Sequence, residues 1–95
     1  MIDLEQKYIE FIKETVSSML HNYKLYIFGS RVKNRAKKYS DIDLAIDSQE
    51  LTPQTKSKLE ATFDNSTLPY EIDIIDLNSI DDKFKNLIKD ELVLL

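Results

Sequence analysis

Apolar residues recur along the chain with two different periods, and these periods predict its secondary structure. Near the amino terminus the recurrence is helical, at Ile9, Ile12, Val16, Met19 and Leu20. Asp3 and Gln6 form a capping-box pattern before this run, which predicts a first helix ending at about residue 22. The segment 25–28 is rich in strand formers and predicts a buried strand. Gly29-Ser30 interrupts it, and a short helical turn is expected to follow.

Strict alternation of apolar and polar residues predicts two further strands. In the segment 41–47 one face carries Ile42, Leu44 and Ile46, and the other carries Asp41, Asp43, Ala45 and Asp47. The segment 71–76, EIDIID, alternates in the same way, with Ile72 and Ile74 on one face. Both segments therefore place carboxylates on the face opposite their isoleucines.

Two more helices are predicted in the second half of the chain. Thr52-Pro53 is a favourable start because proline is preferred at the first helical position, and Leu59 and Phe63 give this helix an inner side. Ser79 is predicted to cap the last helix, with Asp82 at the capping-box position. The inward residues of that helix are predicted to be Ile80, Phe84, Leu87 and Ile88.

The order of elements predicts an α/β fold of the α+β kind, with a small three-stranded mixed sheet flanked by helices. Residues 1–95 are expected to form a single domain. The helix between the second and third strands indicates that these two strands are parallel. The apolar end, Leu92–Leu95, has two interpretations: an edge strand packed on its own core, or a surface that a partner covers.

Charge is distributed unevenly along the chain. The net charge is −4, but five cations fall within eight residues: Arg31, Lys33, Arg35, Lys37 and Lys38. A mostly acidic protein is a poor non-specific binder of nucleic acid, although one basic loop could serve a polyanion as small as a triphosphate. With no cysteine there is no disulfide or thiolate chemistry. No apolar run approaches the ~18 residues of a membrane span, and no signal peptide is evident, so a cytoplasmic protein is expected.

The carboxylates on the strands are the first candidates for chemistry. Asp41 and Asp43 share a face about 6–7 Å apart at the backbone, and Asp73 can converge on them if its strand is a neighbour. Three such groups would repel one another, and burial would raise their pKa values. A divalent cation removes the conflict, and ligands that are all oxygen favour Mg²⁺ or Mn²⁺. An EF-hand is excluded, because its loop would need Gly where Ile46 stands.

Taken singly, these residues have plainer interpretations. Asp41 could cap a turn after Ser40, and Asp73 could be a solvated residue on an open face. Asp76 is expected at a strand end or in a turn. His21, the only histidine, is expected to be structural or on the surface.

Gly29-Ser30 is the second candidate. A residue without Cβ allows close approach of a ligand and a positive φ, the amides of a following helical turn favour an anion, and the Ser30 hydroxyl can donate to a phosphate oxygen. By itself the pair indicates only a tight turn. Beside carboxylates that bind a metal, it indicates phosphoryl or nucleotidyl transfer.

The combined spacing resembles that of a known superfamily. Gly29-Ser30, then ten residues, then Asp41-x-Asp43, with a later Asp73 between apolar residues, resembles the DNA polymerase beta-like nucleotidyltransferases. The closest similarity is to the minimal nucleotidyltransferases (MNT). The stretches FGSRVKNRAKKYSDIDLAI and LPYEIDIIDL are similar to members encoded beside a small helical HEPN-domain partner, also called a nucleotidyltransferase substrate-binding protein. The resemblance covers residues 25–90.

This resemblance implies an enzyme that transfers AMP from ATP to a hydroxyl with two Mg²⁺ ions, or Mn²⁺ in their place. Asp41 and Asp43 would hold both ions, and Asp73 would bind the catalytic ion and help to activate the hydroxyl. Gly29-Ser30 would hold the β- and γ-phosphates, with Arg31 contributing. Such a pair of cations stabilises both the attacking and the leaving oxygen of an in-line displacement.

The resemblance also implies a partner. The chain leaves no room for a domain that binds an acceptor, so the acceptor is expected on a second protein. In MNT–HEPN pairs the implied module is a toxin–antitoxin system, in which the MNT adenylylates a tyrosine of a HEPN ribonuclease. The alternatives are transfer to a small molecule such as an aminoglycoside or to an RNA 3′ end, or neutralisation of the partner by contact alone.

Overall fold

Three α-helices and one four-stranded sheet make up the part of the chain that the computed structural model describes, residues 2–33, 36 and 40–95. The elements are α1 (Gln6–Ser17), β1 (Lys24–Phe28), a 3-10 turn (Gly29–Arg31), β2 (Ile42–Asp47), α2 (Pro53–Asp64), β3 (Ile72–Asp76), α3 (Asp82–Ile88) and β4 (Val93–Leu94). This order confirms the predicted α/β layout.

The sheet is mixed, with the strand order β3-β2-β1-β4. Strands β2 and β3 are parallel, as the helix between them indicated, whereas β1 is antiparallel to both of its neighbours. The expectation of three strands was one too few, because Val93 pairs with Ile27 and makes the carboxyl-terminal segment an edge strand. A strand of two residues is too short to show an alternation in the sequence. Val93 and Leu94 remain exposed on it.

Helices α1 and α2 cover one face of the sheet and enclose the larger core. Phe11 of α1 meets Phe63 of α2 edge to face, with ring centroids 6.1 Å apart. This core contains the inward residues of α1, the apolar faces of all three long strands and the inner side of α2; its fully buried members include Ile12, Val16, Ile27, Ile42, Leu44, Ile46 and Leu59. Thr52 caps α2 as predicted, since its hydroxyl accepts from the Thr55 amide at 3.1 Å.

A smaller core lies on the opposite face, under α3. It consists of Phe28, Ala45, Leu77 and Ile88. Because side chains alternate along a strand, this is also the face that carries Asp43. Within the described chain no helix has the length and apolarity needed to cross a bilayer.

The bounds of α1 differ from the prediction at both ends. Its N-cap is Glu5, and the Asp3 amide instead donates to the Arg31 carbonyl at 2.7 Å, so the predicted capping box is wrong. The helix ends at Ser17, and the Ser17 and Ser18 hydroxyls donate to the carbonyls of Glu14 and Thr15. Leu20 is buried all the same, from the turn that follows.

The start and the inner side of α3 also differ. Asp81 caps it by accepting from the Phe84 amide at 2.7 Å, whereas the Ser79 hydroxyl donates to Asp76, so Ser79 is not the cap. With this start, Ile88 is buried as predicted, but Leu87 is 68% exposed and Phe84 38% exposed. The prediction that Phe84 and Leu87 face inward is wrong.

Adjacent residues of α3 should therefore differ in their contribution to stability. Ile88→Ala should lower the free energy of unfolding by about 2–5 kcal/mol, because it removes buried side-chain volume. Leu87→Ala should change it by no more than about 0.5 kcal/mol, because that side chain is largely in solvent. Urea unfolding of the two variants measures both values. Equal losses would show that α3 packs through a different face.

Candidate active site

The strand register brings three predicted site residues together at one end of the sheet. Asp43 of β2 is the Cα partner of Asp73 in the parallel strand β3. On its other side Asp43 is the Cα partner of Phe28, the last residue of β1, and Gly29 follows directly. Asp41 lies just before β2, exposed at the same end. Gly29 and Asp73, which are 44 positions apart in sequence, thus both lie beside Asp43.

Gly29 lies directly against the carboxylate of Asp43. It adopts φ +81°, which side chains with a Cβ rarely tolerate. A Cβ added there would also overlap Asp43 Oδ2 and lie 3.3 Å from Asp43 Cγ. Glycine is therefore required both for the turn and for close contact between this loop and the carboxylate.

Ser30 continues the loop in the 3-10 turn and is partly exposed. The turn is closed by the Val32 amide, which donates to the Gly29 carbonyl at 3.1 Å. A turn of three residues has little of the macrodipole of a full helix. Any affinity of this loop for an anion must therefore depend on the loop amides, the Ser30 hydroxyl and charges supplied nearby.

Arg31 does not share the open position of its neighbours. It is only 5% exposed, and its guanidinium donates to the carbonyls of Asp3 at 3.1 Å and Ser40 at 2.7 Å. The guanidinium carbon also lies 4.4 Å from the centroid of the Tyr70 ring. These contacts join the amino-terminal segment to residues 29–33, the site loop, so the structure gives Arg31 a structural role. Its contact with nucleotide stays a prediction.

Burial and neighbouring acids perturb the ionisation of Asp43. Its pKa is raised above the usual value of 3.8, first by burial and then by the charges of Asp73, Asp41 and Glu91. Asp41 and Asp73 are both exposed, whereas Asp43 is half-buried between the strands. The neighbouring negative charges therefore surround Asp43, which is less well solvated than Asp41 or Asp73.

Glu91 is the site residue that sequence reasoning missed. It lies between α3 and β4, and the pairing of β4 with β1 brings it to this end of the sheet. Its carboxylate forms an ion pair with Lys33 Nζ at 2.7 Å. The one signal in the sequence was its position just before the apolar segment Leu92–Leu95, which had two interpretations.

The carboxylates suit a divalent cation that is shared with another ligand. Within the ranges 2–33, 36 and 40–95, no three acidic or histidine side chains are grouped closely enough to hold a metal ion by themselves. Mg²⁺ usually takes only one or two protein carboxylates and completes its shell with water and substrate phosphates. A cation beside Asp43 would also relieve the repulsion that raises its pKa. The donor set thus fits such an ion.

Other polar residues singled out in the sequence lie elsewhere. Asp76 accepts from the Asn78 amide and from the Ser79 hydroxyl, both at 2.9 Å, so it is the turn residue that was predicted. His21 is on the surface, 91% exposed and 3.7 Å from a Glu50 oxygen. The cations Arg35, Lys37 and Lys38 fall outside the described residues.

Comparison with known proteins identifies the family. A family model described as polymerase beta, nucleotidyltransferase matches residues 5–95. The chain belongs to this family. It is therefore a nucleotidyltransferase, as the spacing of its glycine and aspartates indicated.

A curated relative narrows the similarity to the minimal branch. The probable protein adenylyltransferase MntA of Haemophilus influenzae is 35% identical over 89 residues, which cover 93% of this chain and 78% of that protein. The predicted resemblance to minimal nucleotidyltransferases is confirmed.

Solved structures share the fold at lower identity. A toxin–antitoxin structure with AMP-PNP superposes with a TM-score of 0.76 at 21% identity, covering 90% of this chain and 69% of that one. A complex of a tri-AMPylated Shewanella oneidensis HEPN toxin with its MNT antitoxin gives 0.72 at 20% identity, covering 96% and 71%. At these identities the likeness establishes the fold alone.

The perturbed carboxylate gives a stability prediction. Because the folded state raises the pKa of Asp43, the metal-free protein loses stability as pH rises from about 3.8 through the raised value. Asp43→Asn should therefore raise the Tm at pH 7, because it removes a charge that burial and the neighbouring acids disfavour. Since Asp43 is only half-buried, screening by solvent should keep this gain small. The gain should vanish below pH 3.8, where Asp43 is protonated in both states.

The matched control for this measurement is Asp47→Asn, on the same strand. Asp47 is exposed, and its Oδ1 accepts from Asn78, a bond that an asparagine oxygen retains. Calorimetric melting of both variants in EDTA should show the gain for Asp43→Asn alone. An Asp43→Asn protein that melts lower than wild type at pH 7 would contradict the electrostatic account.

Proposed function

We propose that this chain is a Mg²⁺-dependent protein adenylyltransferase that transfers AMP from ATP to a tyrosine hydroxyl of a small helical HEPN-type protein. In this role it is the antitoxin of a toxin–antitoxin pair. The observation that carries the proposal is the contact of Gly29 with Asp43, which in turn is paired with Asp73. This contact holds the Gly29-Ser30 loop, which we propose binds phosphate, against the acidic end of the sheet.

The proposed reaction is a single in-line displacement. The tyrosine oxygen forms a bond to the α-phosphorus of ATP while the bond from that phosphorus to the pyrophosphate oxygen breaks. Pyrophosphate leaves, and AMP remains on the tyrosine as a phosphodiester. Asp41, Asp43 and Asp73 would hold the divalent cations, whose chemistry would be to stabilise the charge on the attacking and leaving oxygens.

The chain's own residues position the reactants. Gly29 and Ser30 hold the β- and γ-phosphates through loop amides and the Ser30 hydroxyl, and this orients the α-phosphorus towards the acidic end of the sheet. Asp73, exposed at the edge strand β3, accepts the proton of the incoming hydroxyl. Asp43 is half-buried on β2 between β1 and β3, and its carboxylate therefore has a fixed position between the Gly29-Ser30 loop and Asp73.

The openness of the site supports an acceptor on a macromolecule. Asp41 and Asp73 are exposed, so α3 and the rest of the described chain leave them uncovered. A partner that presents a tyrosine would supply the missing wall and exclude water from the reacting phosphate. The Haemophilus relative carries the name of a probable protein adenylyltransferase, and the fold neighbours come from toxin–antitoxin structures, in one of which the HEPN toxin is tri-AMPylated. These relationships support the same acceptor class here.

Labelled ATP tests the proposal directly. In the presence of Mg²⁺ and a HEPN-type protein of the same genome, label should move from the α-phosphate of ATP to a tyrosine of that protein. Asp43→Asn and Asp73→Asn should each lower the rate by at least about 10²-fold, as removal of a charge-stabilising group does in other enzymes. Intact-mass analysis of the acceptor and tandem mass spectrometry of its peptides measure the extent and the site.

Asp76→Asn is the matched control, because Asp76 lies on the same strand as Asp73 but bonds the turn at its far end. That variant should transfer AMP at the wild-type rate. Label transfer that survives Asp43→Asn would place the reaction elsewhere. Protection of cells from the partner by a doubly substituted Asp41→Asn/Asp43→Asn protein would show that contact alone suffices.

A further inference from the structure

An ion pair links the site loop to the carboxyl-terminal segment. Lys33 Nζ and Glu91 Oε2 lie 2.7 Å apart, although the two residues are far apart in sequence. The Glu91 side chain is only 18% exposed and that of Lys33 40% exposed, so both are partly withdrawn from water. The other ion pairs between oppositely charged groups in the described chain are longer, between 3.6 and 3.7 Å. This contact is therefore the tightest of its kind there.

Both partners belong to hydrogen-bonded backbone turns, and Lys33 lies four residues after Gly29. The Lys33 amide donates to the Ser30 carbonyl at 3.4 Å, so the lysine is held next to Gly29-Ser30 in the site loop. The Glu91 amide donates to the carbonyl of Ile88 at 2.8 Å, and Ile88 is buried in the smaller core. Two residues after Glu91, β4 pairs with β1 just before β1 enters the loop.

The charges around this pair define the problem that it solves. Glu91 lies close enough to Asp43 to raise its pKa, together with Asp41 and Asp73. A site this acidic repels a polyphosphate unless cations stand near the phosphates. Lysine carries a flexible four-carbon stem, so a free lysine loses considerable rotamer entropy when it binds a phosphate. A lysine already held by a carboxylate loses less.

We propose that Glu91 is a positioning residue, which holds Lys33 Nζ beside the Gly29-Ser30 loop so that it can contact the polyphosphate of the nucleotide. The ammonium group has three N–H donors, so one can remain on Glu91 while the others turn to phosphate oxygens. The inference rests on the proposed function, because it assumes that the loop binds ATP. It adds a residue from the carboxyl-terminal segment to the machinery that orients the substrate.

The test is a double-mutant cycle on nucleotide binding, read by calorimetry with AMP-PNP and Mg²⁺. Glu91→Ala should weaken binding about 3- to 10-fold when Lys33 is present, and should have no further effect in a Lys33→Gln background. Binding of AMP, which lacks the β- and γ-phosphates, should change less than about 2-fold in every variant. In the transfer assay, the same Glu91→Ala variant should raise KM for ATP and leave kcat unchanged.

Glu60→Ala is the matched control, because Glu60 forms an exposed ion pair with Lys56 on α2, at 3.6 Å. It should leave AMP-PNP affinity unchanged. Glu91→Gln, which keeps the size of the side chain, provides a second variant if Glu91→Ala fails to fold as judged by circular dichroism. It should weaken binding by a smaller factor.

The possible outcomes are distinct. If Glu91 acts only through its own negative charge, Glu91→Ala will tighten AMP-PNP binding equally with and without Lys33, and the inference is wrong. Unchanged affinity in Glu91→Ala or Glu91→Gln would also overturn it, while leaving the proposed function intact. Wild-type protein that does not bind AMP-PNP with Mg²⁺ would overturn the proposed function, and this inference with it.

Discussion

The register between β2 and β3 is the constraint on which the site depends. Ile42 and Ile72 are paired across the two parallel strands and buried on the face that α1 and α2 cover. A shift of one residue would turn the apolar side chains of one strand out of that core. The same register fixes Asp43 opposite Asp73 on the other face. Burial of apolar side chains on one side of the sheet thus holds two carboxylates together on the other, against their mutual repulsion.

The two faces of the sheet serve different purposes. Two twelve-residue helices cover the first face and enclose most of the buried apolar residues. In the described part of the chain the second face is covered by α3, seven residues long, whose buried residue is Ile88. This thinner layer leaves the acidic end of the sheet open to solvent, while β4 and Glu91 reach it from the side. One side of the sheet therefore provides most of the buried core, and the other side leaves Asp41 and Asp73 accessible to solvent.

Much of this architecture could be predicted from the sequence, because the signals were local and periodic. The alternation in segment 41–47 predicted a strand and the face of Asp43, and the intervening helix predicted the parallel neighbour that carries Asp73. Gly29 was recognised as a turn residue, although its contact with Asp43 depends on pairing that no local pattern encodes. The pairing of β4 with β1 was not predicted. Glu91 was missed for this reason, since a two-residue strand brings it to the site.

Residues with two plausible roles were the other source of error. Ser79 and Asp81 are both of residue types that cap helices well, and the structure uses Asp81, while Leu87 faces solvent. Arg31 belongs to a basic run that suggests phosphate, but its burial against Tyr70 depends on a ring 39 residues away. Sequence patterns identify which residue types can perform a role, and packing decides which one does.

The proposed function requires the acidic end of the sheet to bind a metal ion together with the nucleotide. The most direct measurement is Mn²⁺ binding followed by electron paramagnetic resonance, with and without AMP-PNP. The account predicts weak binding of Mn²⁺ to the protein alone, and tight protein-bound Mn²⁺ once the nucleotide is added, lost in Asp43→Asn. Mn²⁺ that binds equally well without nucleotide, or that is retained by Asp43→Asn, would contradict it.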